Sequence, residues 1–383
     1  MLNKPRLLTP GPTPLPERVR LTMAQDMIHH RKAPFKKLMA ETQELLQKLF
    51  GTSQVVLPLS CSGTGSMTAA IHGLFKAGEK VIIVDAGKFG ERWNTIAKTR
   101  GLETVIIKKE WGTAVSVADI EEALAAHPDA AGVLVQCSET STGVQHPVQD
   151  IAAMTRQRDI LLVVDGISSV GISPCPMDDW GVDCLLTGSQ KGLMLPPALA
   201  LIALSERAWA KAETIATDCF YFNLPKERDN CLKNQTLFTT PVSLIVGLHE
   251  SLTMFFEFGL DEIYRKQWAL TMLARAGVKA LGLEPLAKDH FTWGLTSIRL
   301  PDGVDGNKVI EHAASHYGVI MAGGQDALKG RIVRLGHMGW VDWADVVAGL
   351  HALAMSLAAT SSFTVPNDYM MLALKAYAEA LEG

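Results

Sequence analysis

Leu161-Leu162-Val163-Val164-Asp165, with Thr187-Gly188-Ser189-Gln190-Lys191-Gly192 downstream, is the stretch whose reading decides the fold. The first segment is a short β-branched run that ends on a carboxylate, as a buried parallel strand ends at a ligand crevice. The second places a lysine just past an apolar strand, in a bend that Gly188 and Gly192 make permissive. Each has an ordinary reading alone: a solvated lysine after a strand, or an aspartate that forms a turn or caps a helix. Taken together they bring an amine and a carboxylate to the carboxyl edge of one sheet.

Outward from this pair, apolar runs at 55–59, 81–85, 132–137, 161–165, 183–187 and 198–204 read as strands. Helical patterns at 35–50, 67–75, 91–99 and 150–157 lie between or before them. That alternation predicts an α/β fold with a mostly parallel, doubly wound sheet and its loop chemistry on one edge. Pro10, Pro12, Pro14 and Pro16 exclude helix or central strand near the start, leaving an extended arm. Beyond Gly259 the pattern changes to long helical stretches (260–281, 306–316, 342–357, 367–381) with short strands (292–300, 318–321, 332–335), an α+β arrangement. The division is an arm over 1–16, a large domain over 17–258 and a smaller C-terminal domain over 259–383.

Composition narrows the class. At 383 residues the chain exceeds one ordinary core, which suits two domains. Hydrophobic content of 48% and a formal charge of −4 describe a globular protein without the basic excess that nucleic acid or an acidic membrane would attract. The six cysteines form no C-x-x-C pair and read as reduced core residues, not a disulfide frame or metal site. No apolar leader opens the sequence, and no run of ~18 apolar residues is apparent. The expectation is a cytoplasmic protein with no membrane partner.

Further motifs have two readings each. Ser60-Cys61-Ser62-Gly63-Thr64-Gly65-Ser66 leads into a helix and can bind phosphate through free N–H groups, or simply cap the helix. Thr68 stands where a dinucleotide fingerprint needs its third glycine, which disfavours a nicotinamide dehydrogenase. Phe89, in the loop after the strand at 81–85, can stack on a flat ring or anchor the loop. Ser138-Glu139-Thr140-Ser141-Thr142-Gly143 offers hydroxyls that can meet a ligand or cap the next helix. Gln235-Thr236-Leu237-Phe238-Thr239-Thr240-Pro241 reads as a loop before a long helix from Val242. Arg331 and Arg334 lie on opposite faces of one β-run, so one of them can face a cleft.

Asp165-Gly166-Ile167-Ser168-Ser169 followed by Thr187-Gly188-Ser189-Gln190-Lys191 resembles the class V (fold type I) aminotransferases, the alanine/serine–glyoxylate branch in particular. The resemblance covers nearly the whole chain, with its motifs in family order. It implies a homodimeric enzyme with pyridoxal 5'-phosphate bound to Lys191 and its ring nitrogen facing Asp165. It implies Ser62, Gly63, Thr64 and Gln190 on the phosphate, Phe89 and Ile167 on the two ring faces, and Thr140 against the ring. Thr239 and Thr236 would reach the phosphate from the other subunit; Thr236 stands where the family has an aromatic residue, and Thr64 where it often has histidine. Arg334 would pair with the substrate α-carboxylate, and the arm with its Thr9–Thr13 motif would lie across a partner subunit. His30 and Arg31 match a family position near the site, although a solvated helix start reads equally well. The implied substrates are a small amino acid such as alanine or serine and a small 2-oxo acid such as glyoxylate or pyruvate. The rivals are an aminoethylphosphonate aminotransferase, a cysteine desulfurase-like lyase (Gln190 and Phe89 stand where that enzyme has histidines) and a non-catalytic subunit of a larger complex.

Overall fold

The computed structural model describes residues 4–216 and 219–382. Seven strands form the central sheet: β1 (Val56–Leu59), β2 (Lys80–Asp85), β3 (Glu103–Lys108), β4 (Ala130–Gln136), β5 (Leu161–Asp165), β6 (Cys184–Gly188) and β7 (Ala200–Leu204). They lie side by side in the order β1-β7-β6-β5-β4-β2-β3. All neighbours run parallel except β7, which is antiparallel to both β1 and β6. Every residue of β5, β6 and β7 is buried, because helices cover both faces of the sheet. Parallel pairing of β5 with β6, with Asp165 opposite Leu186, sends both strands to the same edge. The loops carrying Asp165 and Lys191 therefore emerge together.

Strand β3 was not legible in the sequence. It closes the sheet with exposed ends and a half-buried middle, so it lacks the continuous apolar signal of its neighbours. Two helices start earlier than their periodicity predicts. One spans Gly63–Leu74 and the other Lys88–Thr99, so Phe89 lies in a first helical turn and not in a loop.

The C-terminal part builds a second sheet from β8 (Glu284–Pro285), β9 (Leu295–Arg299), β10 (Ala322–Gly323) and β11 (Ile332–Gly336), all antiparallel in the order β8-β9-β11-β10. Helices Leu260–Ala280, Gly306–Tyr317, Trp343–Thr360 and Tyr369–Glu382 accompany it. The interior has two main apolar clusters. One gathers residues between Val19 and Phe255 around the large sheet; the other joins Leu270, Ile298, Val333, Leu350 and their neighbours. Helix Trp343–Thr360 overturns the expectation of no membrane-length apolar run, since by length and composition it could cross a bilayer. Here its Val346, Leu350, Leu353 and Leu357 fill the second cluster.

Of the expected arm, residues 1–3 lie outside the described residues, as do 217–218 and 383 of the two expected domains. The rest of the arm packs on its own chain. Arg6–Leu7 pairs in parallel with Val319–Ile320, Gly336 N–H donates to the Leu8 carbonyl at 2.7 Å, and Leu8 joins the second apolar cluster. These backbone bonds satisfy arm groups that would otherwise need a partner.

Candidate active site

Asp165 and Lys191 meet where β5 and β6 end. Asp165 is buried, and one of its carboxylate oxygens accepts the Ile167 N–H at 2.8 Å. Burial pushes its pKa up to about 7, a rise reinforced by Glu139 and opposed by Ile167, Lys191 and Arg92. Lys191 is buried as well, and its pKa falls to about 8. Burial is the main cause; Asp165 opposes it, while Arg334 and Arg92 add to it. Each group thus feels the other's charge. The arm passes directly over the lysine. Lys191 Nζ donates to the Pro10 carbonyl, Thr13 Oγ1 donates to the Lys191 carbonyl at 3.0 Å, and Thr13 N–H donates to the Gln190 carbonyl at 3.2 Å.

Helix Gly63–Leu74 begins beside this pair with Ser62 as its cap residue, exposed and with no side-chain cap bond. The first N–H groups of such a helix have no partner within it. A Cβ on Gly63 would sit 2.4 Å from Ile167 Cδ1, so glycine is what lets the loop approach Ile167. Thr64 Oγ1 accepts from Arg92 Nη1 at 2.9 Å, and the Arg92 guanidinium lies 4.7 Å over the Phe89 ring. Gln190 has its side-chain oxygen buried without a hydrogen-bond partner.

Opposite stands Arg334 in β11, buried between Ser297 and Ala322 of the flanking strands. Its Nε donates to the Gly323 carbonyl at 2.8 Å and its Nη1 to the Thr140 carbonyl at 2.9 Å. Two of the guanidinium's five N–H donors thus orient it, and the others stay available for a carboxylate. Arg331 is exposed, as alternation requires. Thr140 contributes its main chain here and is itself buried. Lys88 ties the two bodies together at the cleft, 3.0 Å from Glu91 and 2.7 Å from Asp326.

Thr236 and Thr239 stand apart from this group. The Thr236 hydroxyl donates to the Phe238 carbonyl at 2.7 Å within its own loop, and Thr239 is exposed. Arg31 holds the same loop, donating to Gln235 Oε1 and to the Leu237 carbonyl, each at 3.1 Å; it is not a solvated helix start. The exposed rings of Phe220 and Tyr221 pack against Phe238.

Two side chains went unnoticed in the sequence. Arg92 lies three residues after Phe89, hence on the same helical face. That signal existed but was hidden by taking Phe89 for a loop residue. Glu139 lay inside a motif read for its hydroxyls.

The residues present fit pyridoxal phosphate. A buried carboxylate can hold a protonated ring nitrogen, and a lysine near 8 can present a neutral amine. A helix N-terminus, whose first N–H groups have no partner within the helix, lines the place a phosphate end would occupy. A doubly wound sheet with such a site at its carboxyl edge defines a transferase of the pyridoxal-phosphate fold type I class. The family model described as aminotransferase class-V matches residues 10–342, and the chain belongs to that family. It is 37% identical to the soluble hydrogenase small subunit of Synechococcus sp. (strain PCC 6716), covering 94% of each chain. It is 34% identical to the serine–glyoxylate aminotransferase of Methylorubrum extorquens, over 92% of this chain and 90% of that one. Among solved structures, ureidoglycine–glyoxylate aminotransferase from Bacillus subtilis superposes with a TM-score of 0.91 at 26% identity, covering 99% of each chain.

Proposed function

We propose that this chain transfers an amino group between a small L-amino acid and a small 2-oxo acid, with glyoxylate or pyruvate as acceptor. The observation that carries the reading is the shared cleft of Lys191, Asp165 and Arg334, with Arg334 and Asp165 both acting on the charge of the lysine. Similarity to aminotransferases whose names include glyoxylate supports the acceptor. One relative is named as a hydrogenase subunit. The complete lysine–aspartate–arginine set favours a catalyst over a non-catalytic subunit.

When bound, the cofactor supplies an aldehyde that takes the amino group and a ring that accepts electrons from the substrate α-carbon. Lys191 would hold that aldehyde when no substrate is present. Its buried amine, with a pKa of about 8, is neutral often enough near that pH to take a proton from a substrate α-carbon and to give it back. Asp165 keeps its charge against the ring nitrogen. Phe89 and Ile167 confine the ring; Ser62, Gly63, Thr64 and Gln190 hold the phosphate. Arg334 selects α-carboxylates through its free N–H edge. In a homodimer, Thr239 of one chain stands at the phosphate of the other, with Thr236 shaping its loop.

The test is direct. Cofactor-loaded protein treated with borohydride should carry the pyridoxyl mass on the peptide containing Lys191, and Lys191→Ala should abolish transamination in a screen of amino donors and oxo-acid acceptors. Turnover retained by Lys191→Ala would refute the assignment.

A further inference from the structure

Glu139 has no exposed surface, and none of the roles above uses it. A buried carboxylate is costly unless hydrogen bonds compensate for lost water. Here four donors offset part of that cost, and burial still holds the carboxyl's pKa above its usual value. Its Oε2 accepts the N–H groups of Phe89 at 3.0 Å and Gly90 at 3.1 Å, while Oε1 accepts the N–H of Ser141 at 3.1 Å and also its hydroxyl. Phe89 and Gly90 open helix Lys88–Thr99, whose first N–H groups lack intrahelical partners and whose dipole favours an anion. Ser141 Oγ also accepts the Lys88 N–H at 3.0 Å, and a Cβ on Gly87 would strike both Ser141 and Glu139. The turn is closed by Gly143 N–H donating to the Glu139 carbonyl at 2.8 Å. In the middle of that turn, the Thr140 carbonyl receives Arg334 Nη1.

Every donor to Glu139 therefore lies either on the segment carrying Phe89 or on the turn carrying Thr140. We propose that Glu139 is a positioning residue: one buried carboxyl group that sets the Phe89 ring over the cofactor and, through Thr140, the Arg334 guanidinium against the substrate carboxylate. This rests on the function proposed above.

Glu139→Gln keeps the shape but leaves one carbonyl oxygen, and its amide group then faces N–H donors on the other side. The variant should bind pyridoxal phosphate roughly tenfold more weakly in titration of cofactor-free protein, the loss expected for about one charge-assisted hydrogen bond. The visible circular dichroism per bound cofactor should shrink as the ring loosens, and KM for the amino donor should rise more than kcat falls. A merely structural role would lower the melting temperature while leaving affinity, dichroism and KM of the folded protein unchanged, and that result would overturn the proposal. Ser141→Ala, which keeps the carboxylate but removes one donor, should move the same three readouts in the same direction by less. If Glu139→Gln does not fold, wild-type readouts in Ser141→Ala refute the idea. Failure of the wild-type chain itself to take up pyridoxal phosphate would instead sink the proposed function, and this inference with it.

Discussion

At the scale of single residues, Asp165 and Lys191 are costly in the cofactor-free chain, and the direction of each cost follows from its pKa. Lys191 sits at about 8 against 10.5, so between those values the unfolded chain binds the proton and the folded chain does not. Stability therefore rises with pH across that window, and the full penalty applies below it. Asp165, at about 7 against 3.8, is the reverse: the folded chain holds the proton between those values, so stability falls as pH rises through them. Lys191→Met should accordingly stabilise the cofactor-free protein at pH 7 by on the order of 1–3 kcal/mol, after allowing for Asp165's lost counter-charge, and so raise its melting temperature. Calorimetry should show that gain shrinking above pH 8, and a destabilised variant at pH 7 would contradict the account. Arg334 yields a second expectation. Arg334→Ala should raise KM for amino donors at a cost on the order of 2–5 kcal/mol, and lysine should restore little because it lacks the planar fork. Lys191 and Asp165 stood out in the sequence because apolar runs lead up to them, whereas alternation left Arg331 and Arg334 open and only the family resemblance selected Arg334. Glu139 did not stand out, because its meaning comes from donors on a helix far away in sequence.

At the scale of elements, the arm and the helix starts decide how the cleft is closed. Proline content showed that the arm is extended, yet extension says nothing about where a segment docks. Its docking follows from backbone bonds to Val319–Ile320 and Gly336, which no residue pattern encodes. Gly11 crosses Lys191 with φ +112°, and a Cβ there would lie 2.6 Å from both Cδ and Cε of the lysine. Gly11→Ala should therefore displace the flexible lysine tip and strain the arm locally, by about 1–3 kcal/mol. Turnover should fall tenfold or more while the far-ultraviolet dichroism stays that of the wild type. Unchanged turnover would mean that the arm does not confine the lysine. The helical pattern is readable only from residue 91, but Ser141 and Glu139 accept the first helical N–H groups and let the helix begin at Lys88.

At the scale of the whole molecule, the active site lies between the large sheet and the second cluster, spanned by the arm, with Leu8 in that cluster and Thr13 on Lys191, and by the Lys88–Asp326 pair. The helical stretches and short strands after Gly259 were legible as an α+β pattern, whereas the way they face the large sheet depends on such contacts and was not. The loop Gln235–Thr240 is the piece that one chain leaves unused. It is held out by Arg31 and Glu227, the latter accepting the Leu237 N–H with both oxygens at 3.1 Å, and it ends on the exposed Thr239. If that loop completes the phosphate site of a second copy, two differently broken chains should repair one another. Thr239→Glu would place a negative charge beside the phosphate without touching the chain's own core, and so should inactivate the homodimer. Lys191→Ala should inactivate it as well. Unfolded and refolded together in equal amounts, the two should form mixed dimers in which one site has both Lys191 and an intact Thr239 from the other chain. Random pairing predicts recovery of about a quarter of wild-type activity, one working site in each of half the dimers. A mixture as inactive as its parents, shown by native mass spectrometry to contain the mixed dimer, would place Thr239 on its own chain's business and not its partner's.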